Sequence, residues 1–147
     1  MNATKISRFI EKFAQDINSP DIRFEPVSIP EAKCAVEIIK RWKPGFFVGV
    51  SKIVIGSSSN YGFVASTDPT VIHLNADRIK QEFSGRQAVL SLAETIVHER
   101  AHVQDYDEES GFRGGEGVAQ SAENDFRNWI KNNLKVIEQI PSFKNFS

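Results

Sequence analysis

Apolar residues recur along the chain at two spacings, and the change from one to the other divides it into three parts. Ile6, Phe9, Ile10, Phe13 and Ile17 keep a helical period, one stripe of a helix from about Thr4 to Asn18 that Asn18-Ser19-Pro20 stops. Arg23 to Ile29 reads as extended and ends at Pro30. From Glu31 to Trp42 the helical spacing returns through Ala32, Ala35, Val36, Ile39 and Trp42, and Pro44-Gly45 ends it. The middle of the chain is built differently. Phe46 to Val50, Lys52 to Ile55, Tyr61 to Ala65 and Thr70 to Asn75 are short β-prone runs, with Gly56-Ser57-Ser58-Ser59-Asn60 and Asp68-Pro69 as turns between them. These runs predict a sheet of three or four strands.

The last third is helical again. Asn75 to Phe83 fits a short helix. Ser84-Gly85-Arg86-Gln87 has the form of a capping box, and a long helix to about Tyr106 is expected behind it. Val89, Leu92, Ala93, Ile96, Val97, Ala101 and Val103 give that helix a broad apolar face. Asp107 to Gly115 is polar and Gly-rich, hence a loop. Glu116 to about Leu134 predicts a further long helix with Val118, Ala122, Phe126, Trp129 and Ile130 inward, followed by a mixed tail. There is no internal repeat and no linker, so residues 1–147 are expected to form a single α+β domain.

Composition narrows the class. A chain of 147 residues can bury a sizeable core, and its 40% hydrophobic and 25% charged residues are ordinary for a soluble globular domain. Eleven Phe residues point to an aromatic-rich core. The net charge is -1 with no basic block, which removes electrostatic support for nucleic-acid binding. Cys34 is the single cysteine, so neither an internal disulfide nor a zinc-thiolate cluster is available. The N-terminal segment is no signal peptide, and no apolar run approaches the roughly 18 residues of a membrane span. The expected location is cytoplasmic, with release by another route or packaging in a larger particle as alternatives.

The chemistry is concentrated in the long helix. His98-Glu99-Arg100-Ala101-His102 reads H-E-x-x-H. Side chains at i and i+4 lie on one helix face, roughly 6 Å apart. Two imidazoles so placed can converge on one Zn²⁺ at about 2.0–2.1 Å each. Glu99 projects about 100° round the axis from His98, close to an open coordination position, where a carboxylate can act as general base toward a metal-activated water. The plainer alternative is a solvated helix face with two surface histidines. A third ligand is required, and the last helix offers Glu116 and Glu123, seven residues apart on one face. Gly114-Gly115 and Ala119 are small and let the helices approach at Glu116, which favours it; Glu123 remains the alternate ligand, and the unused glutamate is a candidate acceptor for a ligand N–H. Cys34 is expected to be a small buried hydrophobe rather than a ligand. His73 either borders the cleft or is an ordinary strand histidine. Tyr106, Arg113, His73 and Tyr61 are the candidate oxyanion donors.

With these residues in place, the stretch from Thr70 to Ile130 resembles the zincin metallopeptidases, in the gluzincin subgroup, where a glutamate on a following helix completes the site. It looks most like the small, minimal zincin-like proteins of bacteria and phages. The similar elements are a strand ending Ile72-His73-Leu74-Asn75, the helix through Thr95-Ile96-Val97-His98-Glu99-Arg100-Ala101-His102, and the helix beginning Glu116-Gly117-Val118-Ala119. The resemblance implies a minimal core: a small mixed sheet, N-terminal helices, the motif helix and a C-terminal glutamate helix. It also implies Zn²⁺ as cofactor and a peptide or protein substrate paired along Thr70 to Asn75. The chain lacks the glycine turn and third histidine of metzincins and thermolysin's pattern around the third ligand, and Arg100 is a larger, more charged residue than usual inside the motif. A zinc metallopeptidase with Glu99 as general base is the expected function. Its rivals are a catalytically inactive zincin-like module with structural zinc, and an interaction component of a larger assembly, for instance of a phage.

Overall fold

The computed structural model describes residues 22–56, 60–107, 111–112 and 115–146. The N-terminal stripe from Ile6 to Ile17 lies outside them. The described chain forms an α+β fold: a four-stranded mixed sheet with one helix between its first two strands and the other helices after it.

Strand β1 (Phe24–Glu25) is followed by helix α1 (Pro30–Trp42), which starts on Pro30, a residue suited to a first helical turn because its missing N–H has no partner there anyway. Strands β2 (Lys52–Ile55), β3 (Gly62–Ala65) and β4 (Asp68–Leu74) complete the sheet in the order β1-β2-β4-β3. β1, β2 and β4 run parallel, and β3 pairs antiparallel with β4. Two short-range expectations are corrected here. The run from Phe46 to Val50 is no strand: it folds as consecutive turns, with Gly49 at φ 89°, and buries Phe46, Phe47 and Val50 as a plug on the core. Asp68-Pro69 opens β4 instead of forming the turn before it. β4 is hydrogen-bonded on both sides, by β2 and by β3, and the edges of the sheet are β1 and β3. A hydropathy pattern reports which face of a strand is buried, not which strands are its neighbours.

Helix α2 (Ala76–Glu82) is capped by Asn75, whose side chain accepts the Arg78 N–H at 3.2 Å. Helix α3 (Gly85–Asp105) starts directly after Ser84, with Gly85 at φ 56°. The expected loop beyond it contains a small hairpin, β5 (Tyr106–Asp107) with β6 (Gly111–Phe112). Helix α4 (Gly115–Asn132) follows, then the short helices α5 (Leu134–Glu138) and α6 (Pro141–Lys144).

α3 is the hub. It packs against β3 and β4 on one side and against α1, α2 and α4 on others. Val89, Leu92, Ala93, Ile96 and Val97 are all buried, as their spacing predicts. On α4 the buried positions are Ala119, Phe126 and Ile130, while Val118 is 44% exposed. The inward stripe therefore begins at Ala119, one residue later than the hydropathy suggests. Phe126 is fully buried and lies 5.1 Å from the Trp42 ring, which ties α4 to α1.

Candidate metal centre

The apolar face of α3 is committed to the core, and this orients the motif. One hundred degrees per residue places His98 and His102 together on the flank away from Ile96 and Val89. Their rings stand 5.3 Å apart at 69°. One nitrogen from each and one Glu99 oxygen lie within 4.8 Å of one another, a group that could hold a metal ion. Arg100 falls on the other side of the helix. Its guanidinium lies 4.7 Å from the centre of the Phe46 ring, burial pushes its pKa down to about 10, and its Nε has no hydrogen-bond partner. The bulky charge inside the motif is thus stacked on an aromatic ring and leaves the histidine face clear.

α4 brings both glutamates to this face. The Glu116 carboxylate spans the two imidazoles, with Oε2 2.9 Å from His98 Nε2 and Oε1 3.1 Å from His102 Nε2. Glu123 approaches the other side of the first ring, Oε1 standing 3.4 Å from His98 Nδ1. Their settings differ: the Glu116 side chain is 79% exposed and that of Glu123 only 14%. Ala119, between them, is fully buried.

Glu99 is the buried acid of the group, 6% exposed. Burial pushes its carboxyl up to about 7, and the Glu116 carboxylate adds to the shift by like-charge repulsion. A carboxyl that changes protonation state near neutral pH is suited to taking up and returning a proton. Above it opens a cleft of about 350 Å³ lined by Asn60, Tyr61, Gly62, Thr95, His98, Glu99, Glu116 and Glu123.

The cleft wall from β3 was not foreseen. Gly62 sits so close to α3 that a Cβ there would stand 3.0 Å from Thr95 Cγ2 and 3.2 Å from Glu99 Cγ. A glycine inside a strand is the sequence signal for such close approach. Tyr61 lines the cleft with its ring, but its hydroxyl donates to the Glu82 carboxylate, and Arg78 lies 4.8 Å over the ring. His73 is not in the group: its ring stacks on Phe63 at 4.2 Å, on the strand face opposite to Gly62. Cys34 is buried against α6, where Ser142 Oγ donates to its sulfur at 3.4 Å. Arg113 and the side chain of Tyr106, the remaining oxyanion candidates, lie outside the described residues.

No family model matches the chain, and no curated protein and no solved structure matches it either. Fold and site together define a class: a small α+β protein with an H-E-x-x-H cluster on its central helix and two glutamates brought to it by the next one.

Proposed function

We propose that the chain is a zinc-dependent metallopeptidase of the zincin type, with His98, His102 and Glu116 as metal ligands and Glu99 as general base. The observation that carries this reading is the placement of one carboxylate, Glu116, across both Nε2 atoms, beside a buried glutamate at the floor of a cleft. Ligands about 2.0–2.1 Å from a tetrahedral zinc stand about 3.3 Å from one another. Glu116 meets each ring with a different oxygen, at 2.9 and 3.1 Å, so its carboxylate lies beside both nitrogens that would hold the ion, which supports its reading as the third ligand. Glu123, on the Nδ1 side of His98, is in the place of an orienting acceptor rather than of a ligand.

Bound zinc supplies Lewis acidity that polarises a carbonyl and makes water a usable nucleophile near neutral pH. Glu99 takes the proton from the attacking water and returns it to the leaving amine. Its buried setting keeps it a strong enough base without holding it charged in water. An extended peptide would add to the edge strand β3, whose first residue, Gly62, lines the cleft, rather than to residues 70–75, whose strand is paired on both sides.

The test is metal content and hydrolysis of a labelled unfolded casein, measured on the same preparations. Wild type is expected to carry zinc, His102→Ala to lose it, and Glu116→Ala to lose more of it than Glu123→Ala. Glu99→Gln should keep zinc and lose roughly 10²–10⁴ of its rate. Undiminished zinc in His102→Ala would sink the metal site, and full hydrolysis by Glu99→Gln would sink the general base.

A further inference from the structure

The two oxygens of the Glu123 carboxylate are divided between two tasks. Oε1 faces His98 Nδ1 at 3.4 Å. Oε2 accepts from Arg127 Nη2 at 2.7 Å and from Gln120 Nε2 at 3.2 Å. Arg127 is itself held from the opposite helix. Its Nε and Nη2 meet Glu94 Oε1 and Oε2, each at 3.2 Å, in a two-point fork. Glu94 stands one turn before His98 on α3, and Glu123 one turn before Arg127 on α4. The side chains therefore form a chain of contacts across the α3–α4 interface that begins and ends on α3: Glu94, Arg127, Glu123, His98.

We propose that Arg127 is a positioning residue for this site: anchored on α3 by Glu94, it fixes Glu123 against Nδ1 of His98 and so aims the Nε2 lone pair into the metal position. This rests on the metal site proposed above. A neutral imidazole carries one proton, and the nitrogen that donates it leaves the other free to ligate. A carboxylate at Nδ1 selects the ligating form. Glu123 is only 14% exposed, so without a cation it would be a poorly solvated charge with reason to turn away. Arg127 supplies that cation, and a fork bound at two points resists rotation in a way that a single contact does not. An isolated surface ion pair would contribute little, but here the pairs are linked and one end is buried.

The experiment uses the full chain and two readouts. Zinc affinity is measured by competition with a chromophoric chelator. Independently, ¹⁵N NMR of the metal-free protein at alkaline pH, in a Glu116→Ala background that removes the carboxylate 2.9 Å from Nε2 competing for the same proton, reads the share of His98 rings with the proton on Nδ1. Arg127→Gln is expected to weaken zinc binding about tenfold or more and to lower the Nδ1–H share. In a Glu123→Gln background the same substitution should change both by less than about twofold, since the route through Glu123 is already broken. Arg127→Lys, which keeps the charge but not the fork, should fall between wild type and Arg127→Gln, and it decides the matter if the Gln variant does not fold. An Arg127 variant with wild-type affinity and wild-type Nδ1–H share overturns the proposal, as does an equal loss in both Glu123 backgrounds. If wild type binds no zinc while the Arg127 variants still shift the His98 tautomer, the metal reading fails and the positioning role stands.

Discussion

In the metal-free protein Glu99 is held where its neutral form is favoured, and this has a consequence for stability. The unfolded glutamate ionises near its ordinary 4.5, the folded one near 7. Between these values the folded state holds the proton that the unfolded state has lost. Its contribution is thus fully present below about pH 4.5 and is lost as pH rises through about 7, a difference on the order of 3 kcal/mol for a group so buried. Urea unfolding of the metal-free protein at pH 5 and pH 8 should show the loss, and Glu99→Gln, which is neutral throughout, should show a flatter profile. An equal slope in both proteins would mean that Glu99 is not the group responsible. The residues of this part of the site were legible in the sequence because H-E-x-x-H is a local pattern: once α3 is a helix, the placing of His98, Glu99 and His102 follows from 3.6 residues per turn. The elevated Glu99 pKa was not, since it depends on what the rest of the chain lays over the carboxylate.

Two glycines separate what an element wants from what its packing imposes. Gly117 is exposed on α4, and nothing lies within 4 Å of a Cβ built there. Gly117→Ala should raise stability by about 0.5–1 kcal/mol, the usual gain for relieving a helix of glycine. Gly62 in β3 is the opposite case. A Cβ would stand 2.8 Å from the carbonyl oxygen of His73, in addition to its contacts with Thr95 and Glu99. Gly62→Ala must displace the strand from β4 or from α3, at a cost of about 1–3 kcal/mol. Thermal or urea unfolding of the two variants side by side should move in opposite directions, and a neutral Gly62→Ala would show that β3 does not press on α3 as described. α1, α2, α3 and α4 were readable to within a residue or two, the three longer ones because each repeats its apolar period over several turns. The short elements were less so. Phe46 to Val50 is as apolar as a strand, but its burial comes from packing as turns beneath Arg100, and Val118 yields its expected inward place to Ala119 because a close helix contact takes the smaller side chain.

At the scale of the whole molecule, the site spans elements that are distant in sequence, so a bound ion would couple them. α3 supplies both histidines and α4 both glutamates, and these helices pack on each other and on the sheet. An ion that binds the folded state alone stabilises it by about 2.7 kcal/mol at a concentration one hundred times its Kd. Removing zinc with a chelator should therefore lower the unfolding temperature, and adding it back should restore it. His102→Ala should unfold at the same temperature with and without zinc; a full zinc effect in that variant would place the ion elsewhere. No described helix is long and apolar enough to cross a membrane.

The sequence by itself determined helices α1 to α4, the α+β class, the motif and the short list of third-ligand candidates, because each depends on residues near one another along the chain. Only the tertiary structure decided that Glu116 spans both Nε2 atoms while Glu123 stands at Nδ1, that β3 rather than β4 lies at an edge of the sheet, that His73 belongs to the far face of the sheet, and that Arg127 links Glu94 to Glu123 beside His98. These depend on strand order and on the register of one helix against another. Both are set by side-chain packing between segments far apart in the chain, and no local period encodes them.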